Sequence, residues 1–437
     1  MPAKKSKRSK SKKEKTSVKN GPQELGKVKT GGLRQSGFVI GAAAFATTIA
    51  QIEIIGQLPI RYLLERHLNV KPEQMSLFFL VSGVAWYIKP IAGLITDSVP
   101  LLGTRRRYYL IFSSAAAALC WLLMGIVPRT YYPILLTAVV LNMAMVLAST
   151  VMGALLVEEA QKFGATGRLS SLREGVGMFA GALGALAGGY LATRAFRWTG
   201  VSAAAILLSL SAVIFLFVHE KPLIRRDTRV WRRAKSQLKV LLHSRTLLAA
   251  AGLIFLFYMT PGIGTPLYYR QTVALKFQQS FIGWQNVISS MTAILGAYLY
   301  AIVCKRVTLR PLLVIGIVLG TLGTLLYLGY DSADSAMAIM AVNGLLGTFG
   351  VLPLFDLATR ATPKGSEGLG FALMMSLRNL ALFSADWIGS WLTQSFHWPF
   401  AWLVILNAGT TLLVLVVVPF LPAALVKKTD QKMPARD

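Results

Sequence analysis

Twelve apolar runs, most of them about 20 residues long, constrain this chain more than anything else in it. They fall near 37–64, 75–97, 108–128, 133–157, 170–193, 199–218, 246–269, 281–303, 311–329, 336–358, 367–394 and 400–423. A helix needs that length to cross the hydrocarbon core of a bilayer, where each backbone polar group must be satisfied inside the segment. Composition agrees: 54% of the residues are hydrophobic and only 15% are charged, against roughly 25% charged in a soluble domain. A strand-built membrane barrel would show weakly alternating segments of about ten residues, and these runs do not alternate. The expected fold is therefore an all-α membrane protein with twelve transmembrane helices.

The formal net charge of +28 would suggest nucleic acid in a soluble protein, but its placement points to a membrane. Residues 1–34 hold 12 of the 46 basic residues and two acids, too little apolar surface to fold. They read as a basic cytoplasmic tail drawn to anionic lipids, with no call for nucleic acid. With the N-terminus inside, cytoplasmic segments carry 35 basic residues and outer segments 8, so the positive-inside rule puts both termini in the cytoplasm. The expected location is a plasma or inner membrane. The basic linker 219–245 divides the chain into two six-helix halves. The expected units are a tail 1–35, a half 36–218, the linker 219–245, a half 246–424 and a tail 425–437, acting as a monomer. Cys120 and Cys304 lie inside apolar runs without partners at metal spacing, and read as packing residues. No cofactor or metal is expected.

Six plus six spans around a basic linker is the plan of the major facilitator superfamily, whose halves rock about a midplane site. A degenerate internal repeat supports it: "GLITDSVPLLGTRRR" after span two answers to "GAYLYAIVCKRVTLRP" after span eight. In span two, Ser82, Trp86, Lys89, Gly93 and Asp97 are spaced to share one helix face. A charge such as Lys89 within a span costs about 3 kcal/mol or more and should face protein or water. It reads as a contact for substrate or coupling ion; pairing with a buried acid is the alternative. Asp97 at a helix C-terminus opposes the macrodipole and needs cations, which "GTRRR" supplies as Arg105, Arg106 and Arg107. Gly93, Asp97, Arg105 and Arg106 read as a conformational latch, or more plainly as a topogenic cluster.

Further along, Gly177, Gly181, Gly184 and Gly188 form a small-residue stripe for close helix packing. "YMTPGIGTPLYY" in span seven holds Pro261 and Pro266, so a continuous helix is not expected there. Tyr258 can stack at that break. Span eleven opens with Ser366 as N-cap and Glu367 in the first turn. Beyond it Ser376, Asn379, Phe383, Asp386, Ser390 and Gln394 form a polar stripe beside Arg378, which reads as cavity lining or as an interhelical network. Glu53 in span one and Asp356 in span ten are further carboxylates, the latter one turn from Arg360. The four histidines lie in loops or at span ends, and no catalytic constellation can be assembled, so an enzyme is not expected.

"WYIKPIAGLITDSVPLLGTRRRYYLI" (86–111) and "PKGSEGLGFALMMSLRNL" (363–380) resemble signatures of the folate–biopterin transporter family, a branch of that superfamily; "LKFQQSFIGW" (275–284) is similar as well. The resemblance implies secondary active transport by alternating access, with protons driving symport of folate- or pterin-like organic anions. On that reading Lys89 and Arg378 answer carboxylates, Trp86, Tyr258 and Phe383 stack on a flat ring, and Asn379 lines the site. Glu53 or Asp386 carries the proton. One departure stands out: where the family pattern has two acids in span four, "STVMGALLVEE" has Ser149 and Gly153, keeping Glu158. The alternatives are a facilitator for another organic anion and a non-transporting membrane assembly factor.

Overall fold

The computed structural model describes residues 32–220, 229–363 and 367–426; Ser366 lies outside them. All regular elements described are helical, and interruptions of the helices are as informative as the helices. The first apolar run is α1 (Leu33–Ile49), an irregular stretch at 50–56, α2 (Gln57–Tyr62) and a π-helical turn, Leu63–His67. The second is cut twice, into α3 (Pro72–Ser82), α4 (Val84–Tyr87) and α5 (Lys89–Ser98). Gly83 and Ile88 make the cuts, the second because Pro90 has no N–H to continue the ladder. Unbroken helices follow: α6 (Arg107–Ile126), α7 (Tyr131–Lys162), α8 (Thr166–Leu191) and α9 (Arg197–Phe217).

After α10 (Arg229–His243) the pattern of the first run returns. α11 (Arg245–Tyr258) breaks at 259–263 and resumes as α12 (Gly264–Tyr269), which again ends in a π-helical turn, Arg270–Ala274. The chain continues with α13 (Gln279–Val303), α14 (Leu309–Leu326), α15 (Ala333–Ala361), α16 (Glu367–Ser395), α17 (Phe400–Leu413), a 3₁₀ stretch Val414–Phe420 and α18 (Ala423–Val426). Among the described residues, seven spans are each long and apolar enough to cross a membrane unaided. The interrupted runs and the more polar α8 and α16 do not qualify by length and composition alone.

The buried apolar residues segregate along the sequence. One cluster, from Leu241 near the end of the linker to Val426, draws no residue from the half before it. Two others, around Val39–Leu210 and Ile40–Leu169, lie wholly before it. The largest joins α1–α9 residues such as Trp121 and Phe78 to Tyr268 and Ile282 from beyond the linker. That mixed cluster sits where α8 packs on α13, and α3 on α16. Gly189 backs directly onto Gly283 there.

The glycine stripe of α8 has a specific job. A Cβ at Gly184 would run into Ile54 Cγ2, and one at Gly188 would stand 3.0 Å from the Ile55 carbonyl oxygen. The stripe therefore admits the unwound segment of the first run. Gly389 on α16 does the same for the other break, backing onto the carbonyl of Gly262.

Candidate transport site

The span-two residues meet α7 along its length. Trp86 Nε1 donates to Asn142 Oδ1 at 3.1 Å, and Asn142 Nδ2 donates to the Ser82 carbonyl at 2.9 Å. That carbonyl is left without its helical partner by the cut at Gly83, so the wholly buried Asn142 satisfies a group the break exposes. Lys89 Nζ donates to Ser149 Oγ at 3.1 Å and lies 5.1 Å from the Trp86 ring centroid. Gly93 stands against Thr150. The shared face expected from spacing survives the two cuts, but it looks at α7.

Lys89 forms no ion pair with a described carboxylate. Its hydroxyl partner is Ser149, one of the two positions where the family resemblance expects an acid. At the other, Gly153, a Cβ would meet nothing within 4 Å. The charge is therefore held by one hydroxyl and one aromatic face, the neighbouring cation being Arg173. Arg173 itself pairs with the adjacent Glu174.

Arg378 on α16 has the same character. Its guanidinium lies 4.5 Å from the Tyr258 ring centroid and 5.6 Å from that of Phe355, and Nη1 donates to Asn379 Oδ1 at 3.2 Å. Its Nε, the Tyr258 hydroxyl and the Ser376 hydroxyl are buried without hydrogen-bond partners. Phe383, five residues on, tilts against Tyr87 of α4 at 6.1 Å between centroids. Lys89 is two residues from that contact on one side and Arg378 about 7.5 Å along the helix axis on the other. Lys89 with Trp86 and Arg378 with Tyr258 are thus two separate cation-and-ring pairs, one from each side of the linker; Trp86 and Phe383 pack on the mixed core and Tyr258 on the core beyond the linker.

The two expected proton carriers differ sharply. Asp386 accepts from the Thr265 N–H at 2.8 Å and from Thr265 Oγ1 at 2.6 Å, closing the start of α12 from a neighbouring helix as an N-cap would. Glu53 lies in the unwound stretch of the first run, near Asn142 and Tyr87. Both its carboxylate oxygens are buried and make no well-formed hydrogen bond, the Asn142 amide and the backbone N–H of Glu53 being the donors beside them.

At the linker end, Arg106 is the hub. It reaches Asp97 Oδ1 at 2.7 Å and Glu158 Oε1 at 2.8 Å through Nε. Burial works against its charge, yet the two carboxylates more than offset this and hold the guanidinium above its ordinary range. The backbone N–H groups of Arg105, Arg106 and Arg107 all converge on the Glu220 carboxylate at 2.9–3.1 Å. These contacts all lie before the linker or at its second residue, Glu220, and none reaches the half beyond it. Asp356 takes a two-bond grip from Arg360, at 2.7 and 2.8 Å.

Spacing did not reveal Arg61. It sits on α2, its guanidinium 5.5 Å from the Phe79 centroid and 5.3 Å from that of Tyr268, close to Asp386, with Nε buried and unpartnered. Nearby, Thr272 Oγ1 donates to Glu65 Oε1 at 2.8 Å, and the Tyr269 hydroxyl donates to the Val70 carbonyl. The signal was present: "GQLPIRY" at 56–62 and "GTPLYYR" at 264–270 are two copies of one element. Cavities of about 260 Å³ between α11 and α17 and about 320 Å³ beside Pro59, Arg129 and Arg194 are lined by neither cation-and-ring pair.

The all-helical bundle has the major facilitator fold, which it shares with solved structures of low sequence identity. A D-xylose–proton symporter superposes with a TM-score of 0.63 at 15% identity, covering 89% of this chain and 97% of that one. The nucleoside transporter NupG superposes with 0.64 at 11%, covering 88% and 98%. Residues 51–436 match the BT1 family, and the chain belongs to it. The "Folate-biopterin transporter" of Synechocystis sp. (strain ATCC 27184 / PCC 6803 / Kazusa) is 27% identical over 393 residues, 84% of this chain and 78% of that protein. "Folate transporter 2" of Plasmodium falciparum (isolate 3D7) is 24% identical over 391 residues, 84% of each.

Proposed function

We propose that this transporter moves folate- or pterin-like organic anions by alternating access, coupled to protons, with twelve spans in two six-helix halves and both termini in the cytoplasm. The observation that carries the anion reading is the pair Lys89 and Arg378. Each is an intramembrane cation over an aromatic ring, and neither has a described carboxylate partner. Buried charge without a counter-charge is costly unless a ligand supplies one. A carboxylate would meet the cations, and a planar ring would stack among Trp86, Tyr87 and Phe383. The relatives' names support folates and pterins as that anion.

For coupling we favour Glu53 over Asp386. A buried carboxyl with no ion-pair partner and no well-formed hydrogen bond is far less costly to bury protonated than charged, whereas Asp386 is already engaged in holding α12. Glu53→Gln is expected to abolish uphill accumulation and to spare counterflow exchange. Asp386→Asn is expected to lower the melting temperature by loosening Thr265. Uphill accumulation that survives Glu53→Gln would remove Glu53 from the mechanism.

The anion reading is tested with purified protein, by thermal shift and equilibrium binding of folates, pterins and assorted organic anions. Lys89→Met and Arg378→Met are expected to fold and to lose at least tenfold in affinity, about 1.4 kcal/mol. Normal binding by both variants would overturn it. A second reading, another organic anion, is favoured by one observation: Ser149 and Gly153 stand where the family resemblance expects acids, so the surroundings of Lys89 are more cationic here.

A further inference from the structure

The helix α10 is left over once the transport reading is complete. It turns through 76° at Ser244 into α11, where Ser244 Oγ accepts from the Leu247 N–H. If α11 begins a crossing of the bilayer, that bend lays α10 close to the membrane plane. Residues 229–243 carry five arginines and lysines and no acid. Leu241 is fully buried and lies against Gly370, seating the C-terminal end of the helix on α5, α11 and α16.

The rest of the helix surface is ordered by angle. Leu238 and Leu242, spaced four apart, are 39% and 59% exposed. Arg232, Lys235 and Lys239, spaced three and four, form the next stripe round and are exposed. Circling the helix, one passes from protein to apolar surface to cations. That is the order in which an interfacial helix meets protein, acyl chains and headgroups, and the charge complements anionic lipid.

We infer that α10 is a docking surface for anionic phospholipid headgroups, held by Arg232, Lys235 and Lys239 with Leu238 and Leu242 in the acyl boundary. The inference concerns lipid and is independent of what is transported.

The test reads α10 locally, because the basic tail also attracts anionic lipid. Leu242→Cys, in a protein with Cys120 and Cys304 replaced by alanine, is labelled with NBD and placed in phosphatidylcholine discs with or without phosphatidylglycerol. Brominated acyl chains serve as quenchers. Quenching is expected in both discs and should rise severalfold with phosphatidylglycerol. The triple variant Arg232→Gln, Lys235→Gln, Lys239→Gln should lose that rise while melting like its parent. A fluorophore that stays in water in both discs would overturn the inference. So would a rise that the triple variant retains, or equal full burial in both discs, which would mean that the protein alone seats the helix.

Discussion

Ser149 is the residue at which this chain departs most tellingly from the family pattern, because its hydroxyl is the partner of Lys89. A carboxylate there would neutralise the ammonium within hydrogen-bond distance, and in a partly desolvated place such a pair is worth far more than at a surface. Ser149→Asp is therefore expected to fold at least as well as the parent and to bind an anionic ligand at least tenfold more weakly, about 1.4 kcal/mol. Binding and melting temperature measured on the same sample check it; unchanged affinity would mean that Lys89 does not face the ligand. Lys89 and Arg378 were legible in the sequence because a lone cation inside a long apolar run has so few acceptable places. Arg61 was not, since it falls close to the end of a run and reads as a loop charge. Its position between the Phe79 and Tyr268 rings depends on chain segments some 200 residues apart. The repeated short element around it could be read from the sequence, but the pairing of its two copies in space could not.

At the scale of elements, the same broken unit occurs twice: helix, unwound stretch, six-residue helix, π-helical turn. Pro261 and Pro266 announced the second break, but the first, at 50–56, contains no proline and was expected to be continuous helix. What creates it is support from neighbours, chiefly the glycines of α8 that make room for Ile54 and Ile55. The glycine stripe was visible in the sequence, though its partner was not. Glycines of similar setting should therefore differ in how they tolerate a methyl group. Gly389→Ala would press a methyl group onto the Gly262 carbonyl, and Gly262 is pinned because its own N–H donates to the Ala385 carbonyl at 2.7 Å. The expected cost is about 1–3 kcal/mol, as for other overpacked sites, seen as a lower melting temperature in detergent. Gly181→Ala, with nothing within 4 Å of the new methyl, should be neutral or gain a fraction of a kcal/mol from helix propensity.

Across the whole molecule, the contacts that bridge the linker concentrate at the end opposite to it. Glu65 with Thr272, Val70 with Tyr269, Arg61 with Tyr268, and Gly189 with Gly283 all lie there. The Arg106 hub at the other end joins residues that precede the linker to Glu220 at its start, and does not reach beyond it. The conformation described is thus closed at the end bearing the two π-helical turns, and the alternating access we propose requires that closure to come apart. The packing of α8 on α13 and of α3 on α16 holds most of it, and the buried hydrogen bond from Thr272 to Glu65 is the contact whose loss can be made small and specific. Glu65→Leu and Thr272→Val remove the same bond, so their effects should not add. Spin labels at Arg66→Cys and Lys276→Cys, both exposed and on opposite sides of the closure, report its width. Either substitution should lengthen and broaden the distance distribution, and the double substitution should do little more than one alone. A distribution unmoved by all three variants would mean that the glycine contact between α8 and α13 holds this end shut by itself. The opening motion would then have to begin there rather than at the π-helical turns.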